Sequence, residues 1–151
     1  MITKTNQEKI KKFFEILSKI QLDFGKNIGL IIVSQETLSD ISALTPNSNL
    51  VSVYDLTEKI NITDLIEELS KNFERKRTVI LRLHSYLDPK LYNQIYLISK
   101  SGRMEFFNGK DEVFLEIPKE SQLILVSTDK ELEKLNYKNL FNIVGPILRL
   151  E

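Results

Sequence analysis

The chain has no cysteine, no tryptophan and only one histidine among its 151 residues. Without cysteine it forms neither disulfides nor thiolate metal sites, and one histidine cannot build an imidazole cluster. Its 21 basic residues balance 21 acidic ones, so the overall positive charge typical of dedicated nucleic-acid-binding proteins is missing. A chain of this length buries roughly 68–70% of its unfolded surface, so we expect a fold that needs no disulfide or structural metal.

Long apolar runs are missing as well. The first residues, MITKTNQEKIKKFFEIL, are charged and amphipathic and lack the apolar stretch of a secretion signal. No run approaches the about 20 apolar residues that cross a membrane. We therefore expect a cytoplasmic protein with no membrane contact.

The chain alternates between helical and extended patterns. Apolar runs predict strands at Ile28–Ser34, Asn49–Asp55, Val79–Leu83 and Gln122–Ser127, and a strand interrupted by Gly145-Pro146 within Ile143–Leu150. Helices are predicted in residues 1–26, at Gln35–Leu44, after a cap at Asn61, and from Leu87 to a left-handed stop at Gly102. This order predicts a three-layer α/β/α fold with a mostly parallel sheet, in a single domain spanning residues 1–151.

A hairpin interrupts this rhythm at residues 103–117. RMEFF and EVFLEI flank Asn108-Gly109, a pair that tolerates the positive φ angles of a tight turn. Phe106 and Phe107 are neighbours in one strand, so they point to opposite faces and we expect one to be exposed. We predict a partner-binding surface on this hairpin, made of Arg103, Phe107, Asn108, Gly109 and Lys110.

The run from Val79 to Leu135 resembles AAA+ ATPases, between the third core strand and the sensor strand. It most resembles the MoxR-like and dynein-like members, which carry a hairpin before the sensor strand. The likeness rests on Leu87-Asp88-Pro89 ahead of a helix, on Gly102-Arg103 opening the hairpin, and on the order of the elements. It covers about half the chain and implies a P-loop NTPase (AAA+) core fold.

The resemblance also indicates which ATPase parts are missing. It places Arg82 and Leu83 where the family has an acidic pair, and the sensor position near Thr128 or Asp129. A P-loop, G-x-x-x-x-G-K-[ST], must follow the first strand to cradle phosphates. Residues 34–40, SQETLSD, contain neither glycine nor lysine. We therefore expect a degenerate core that hydrolyses no ATP, holds no cofactor or metal, and acts as an interaction or regulatory module for a protein partner or its own copies.

Two alternatives stay open. The first is a nucleic-acid accessory role through the basic residues Lys71, Arg75, Lys76 and Arg77, although a cluster of cations is also favoured at a helix C-terminus by the macrodipole. The second is a small-ligand sensor or an enzyme that uses the carboxyl edge of the sheet, with Ser34, His84, Asp88 and Asp129. Residues of these types also serve as helix caps and loop residues.

Overall fold

A computed structural model describes residues 4–24, 27–34, 51–56, 61–83, 89–107, 109–134 and 144–150. The helices are α1 (Lys4–Phe24), α2 (Ile62–Glu74), α3 (Pro89–Ser101) and α4 (Asp129–Lys134). The strands are β1 (Ile28–Ile32), β2 (Val51–Asp55), β3 (Thr78–Arg82), β4 (Arg103–Phe107), β5 (Glu112–Glu116), β6 (Gln122–Ser127) and β7 (Ile147–Arg149). The helix predicted at residues 35–44 lies outside the described residues.

Five parallel strands form the main sheet, in the order β2-β3-β6-β1-β7. The apolar runs of β1, β3 and β6 are what a parallel sheet covered on both faces requires. Strands β4 and β5 form a separate antiparallel sheet, which confirms the predicted hairpin. β7 is held on β1 by bonds on either side of it, from the Leu30 amide to the Pro146 carbonyl and from the Leu150 amide to the Ile32 carbonyl.

The main sheet separates two buried clusters. Alternating side chains of β1 and of Val33 just after it divide between them: Leu30 and Ile32 point to one face, Ile31 and Val33 to the other. The first face is covered by α2, α3, α4 and the base of the hairpin, and the second is covered by α1. The three-layer prediction is therefore confirmed. No helix in the described part of the chain combines the length and apolar character needed to cross a membrane.

A close contact seats α1 on the sheet. The Phe13 ring lies over Gly29 of β1, so closely that a Cβ atom at that position would come 2.5 Å from Phe13 Cζ. The Phe14 ring packs edge-on against Phe13, with 5.5 Å between the ring centroids. Glycine thus provides the space that the aromatic ring fills.

Polar contacts fix α2 on β2. Asn72 of α2 accepts a hydrogen bond from Ser52 Oγ at 2.6 Å and donates to Tyr54 Oη at 2.5 Å and to the Glu68 carbonyl at 2.8 Å. The Tyr54 hydroxyl lies 3.4 Å from Glu68 Oε2, to which it donates. Burial raises the pKa of Tyr54 above its usual 10.0, while the bond from Asn72 opposes that shift.

Two helix boundaries follow the sequence prediction. Asn61 caps α2, because its side chain accepts bonds from the amides of Thr63 and Asp64 at 2.8 and 3.3 Å. Gly102 ends α3 with a φ of 74° and donates its amide to the Ile98 carbonyl at 2.7 Å. That φ lies in the left-handed region that glycine adopts without strain, so the predicted stop is confirmed.

Candidate functional site

The carboxyl ends of the parallel strands meet at one edge of the sheet, where doubly wound folds bind their ligands. Arg82 at the end of β3 pairs there with Asp55 at the end of β2, with 3.3 Å between Nη1 and Oδ2. Arg82 is 19% exposed. The AAA+ resemblance places a carboxylate at position 82, but this chain has Arg82 there. Asp55 of the neighbouring strand β2 supplies the carboxylate that neutralises the charge of Arg82.

A second ion pair crosses the carboxyl end of β1. Arg149 Nη1 on β7 contacts Asp129 Oδ1, in the first turn of α4, at 2.5 Å. Since β1 lies between β6 and β7, this pair reaches over the place where a nucleotide would meet the first strand of a P-loop fold. Asp129, which the sequence analysis offered as a ligand-binding residue, thus has an arginine partner within the chain.

The neighbouring hydroxyl groups have structural roles. Thr128 caps α4, because its Oγ1 accepts the Glu131 amide at 3.1 Å. Ser127 is buried and donates to the Leu83 carbonyl at 2.9 Å. Ser34 lies exposed just beyond β1.

The remaining candidates at this edge, His84 and Asp88, lie outside the described residues. Within the described ranges, no group of three or more histidine, aspartate or glutamate side chains is arranged to hold a metal ion.

Three of the four basic candidates are exposed, and two of those lie beside a carboxylate. Lys71 lies 3.8 Å from Glu68, and Lys76 lies 3.3 Å from Glu120 on another loop. A bond from its own backbone amide, followed by the Lys76 ammonium, lowers the pKa of Glu120 below its usual 4.5. Arg77 turns into the fold, is half-buried, and donates to the Val51 carbonyl at 3.3 Å. Arg75 is exposed at the end of α2.

One face of the hairpin is exposed along its whole length. Residues opposite each other in paired strands share a face, and the exposed cross-strand pairs are Arg103–Glu116, Glu105–Phe114 and Phe107–Glu112. We call these six residues the hairpin face. On the opposite side of β5, Leu115 enters the core and is 2% exposed. The hairpin is therefore anchored through one face and displayed through the other.

The backbone pattern brings the side chains of the hairpin face together. The Ile117 amide donates to the Gly102 carbonyl at 2.8 Å, so the alternate pairs that form the hairpin face are those without direct hydrogen bonds. Cα atoms in such pairs are about 4.5 Å apart, closer than in hydrogen-bonded pairs. Each member of the hairpin face therefore lies close to its cross-strand partner.

Two exposed aromatic rings lie on this face, Phe114 in its middle pair and Phe107 in the pair next to the turn. Phe107 is 64% exposed and Phe114 54% exposed, and they are diagonal neighbours, a relation that places residues about 7–8 Å apart. Adjacent exposed rings with charged neighbours are typical of interaction sites. The charges around them are those of Arg103, Glu105, Glu112 and Glu116.

A groove of about 430 Å³ borders the hairpin face, between β5 and the C-terminal half of α2. Phe114 and Glu116 line it from the hairpin, and Phe73 and Glu74 line it from α2. A second cavity, of about 440 Å³, lies at the end of α1 beside Lys119 and Glu120. Both lie away from the carboxyl edge of the sheet.

Four of the five residues predicted for the hairpin surface lie in the described part of the chain, and all four are exposed. Arg103 and Phe107 belong to the hairpin face, Gly109 forms the turn with a φ of 93°, and Lys110 is exposed beside it. Asn108 lies outside the described residues. Sequence reasoning missed Phe114 and the glutamates. Strand alternation places Glu112, Phe114 and Glu116 on one side, so the signal was present in EVFLEI.

No protein-family model matches this sequence, and no curated protein matches it either. Among solved structures, RuvB of Thermotoga maritima, a Holliday junction branch migration motor, matches with a TM-score of 0.56 at 18% identity, over 99% of this chain. Two point mutants of that protein match with TM-scores of 0.56 and 0.58 at 19% and 18% identity, over 96% and 100% of this chain. The chain spans 46% of the length of each of these structures. At such identity the likeness shows the fold alone, and that fold is the P-loop NTPase core of AAA+ ATPases.

Proposed function

We propose that this chain is a non-catalytic module on an AAA+ core fold, which displays its hairpin to a protein partner or to its own copies in the cytoplasm. It is a degenerate core, related to the MoxR-like and dynein-like group in having a hairpin before the sensor strand. The hairpin face carries the proposal, since it displays two neighbouring exposed phenylalanines while Leu115, on the opposite side of β5, is buried.

The lack of catalysis is supported by the residues at the carboxyl edge of the sheet. Phosphoryl transfer depends on a phosphate cradle, a lysine and carboxylates that hold Mg²⁺. SQETLSD follows β1 where a cradle would lie, and Arg82 with Asp55 occupies the end of β3. The Arg149–Asp129 pair spans the end of β1. These charges are neutralised within the chain, so they offer little net field to a triphosphate.

Nucleotide titration tests the catalytic half of the proposal. We expect no heat of binding on titration with Mg-ATP and no phosphate release above that of buffer. The Asp129→Asn variant, which removes one partner of the ion pair, serves as a comparison. ATP hydrolysis by the purified chain that disappears on substituting one of its own residues would contradict the proposal.

Retention on immobilised protein tests the interaction half. The double variant Phe107→Ser/Phe114→Ser removes both exposed rings, and Leu22→Ser removes an exposed apolar side chain from α1 that is 85% exposed. The immobilised wild type should retain its binding partner, which is another protein or further copies of the chain. We expect the hairpin variant to retain none of it and Leu22→Ser to retain as much as the wild type. Equal retention by both variants would remove the hairpin from the proposal.

Salt-dependent DNA or RNA binding that disappears on neutralising Lys71, Arg75 and Lys76 would favour the nucleic-acid alternative instead.

A further inference from the structure

We draw no further inference here: the strongest candidate, the groove between β5 and the C-terminal half of α2 with the exposed Phe114 ring on its wall, is flanked by acidic and basic side chains alike, and nothing in the structure shows what covers it.

Discussion

Replacing Gly29 by alanine tests how α1 is seated on the sheet. The added methyl group would lie 2.5 Å from Phe13 Cζ, whereas carbon atoms in favourable contact are about 3.5–4.0 Å apart. Phe13 is 2% exposed and has the Phe14 ring against it. The ring therefore cannot swing into solvent to relieve the clash, and α1 must shift or the ring must leave its rotamer.

The expected cost follows from two opposing effects. Overpacking a filled core costs about 1–3 kcal/mol. Alanine recovers about 0.5–1 kcal/mol, because glycine loses more chain entropy in a strand. We expect Gly29→Ala to lower the free energy of unfolding by about 1–2 kcal/mol. At about 2–4 °C per kcal/mol for a domain of this size, the melting temperature falls by about 2–8 °C.

Urea denaturation of a double-mutant cycle separates the clash from other effects. Phe13→Leu removes the tip of the ring, so Gly29→Ala in that background should be neutral or stabilising, with a coupling energy of at least about 1 kcal/mol. Phe13→Leu itself lowers stability by leaving a cavity. An alanine variant at least as stable as the wild type would refute the reasoning, and so would an equal cost of Gly29→Ala in both backgrounds.

Further predictions concern polar groups, each followed by urea denaturation. Asn61→Ala removes the cap of α2 and should cost about 1 kcal/mol, while Asn61→Asp retains most of the stability. Asn72→Leu leaves Ser52, Tyr54 and the Glu68 carbonyl without their hydrogen bonds to Asn72 and should lower the free energy of unfolding by about 1–3 kcal/mol. An unchanged urea midpoint would show that water replaces those hydrogen bonds. Burial raises the pKa of Tyr54, so the contribution of its neutral hydroxyl to stability is complete below pH 10.0 and is lost as pH rises through the folded pKa. Tyr54→Phe should therefore flatten the decline in the free energy of unfolding at alkaline pH. Because the pKa of Glu120 is lowered, its contribution is present above pH 4.5 and is lost as pH falls through the folded pKa. Glu120→Gln should therefore make the acid decline shallower, and identical acid curves would show that neither its backbone bond nor the Lys76 contact stabilises the charged carboxylate.

Features that depend on neighbouring residues alone were predictable from the sequence. Asn61 caps α2 because asparagine is a residue type whose side chain accepts bonds from the first amides of a helix. Gly102 ends α3 because few other residues adopt its φ without strain. The apolar runs of β1, β3 and β6 indicate burial on both faces, which only helices on either side of a parallel sheet provide. Local pattern was therefore enough for the fold class.

The charged contacts of the candidate sites required the tertiary arrangement. Arg82 meets Asp55 because β2 and β3 pair in register, and Arg149 reaches Asp129 because β7 lies beside β1. The sequence places the members of each pair 27 and 20 residues apart, with no signal that joins them. Alternation groups Phe114 with its neighbours, but only the packing of Leu115 decides which side of β5 faces water.

The short edge strand β7 affects the tendency of this protein to aggregate at high concentration. A long, flat edge invites a strand from another molecule, and such additions grow into fibres. β7 offers only three residues, and the exposed Arg149 side chain lies on it. An incoming strand finds almost no template there, so concentrated solutions of the protein should resist amyloid-like growth from this side.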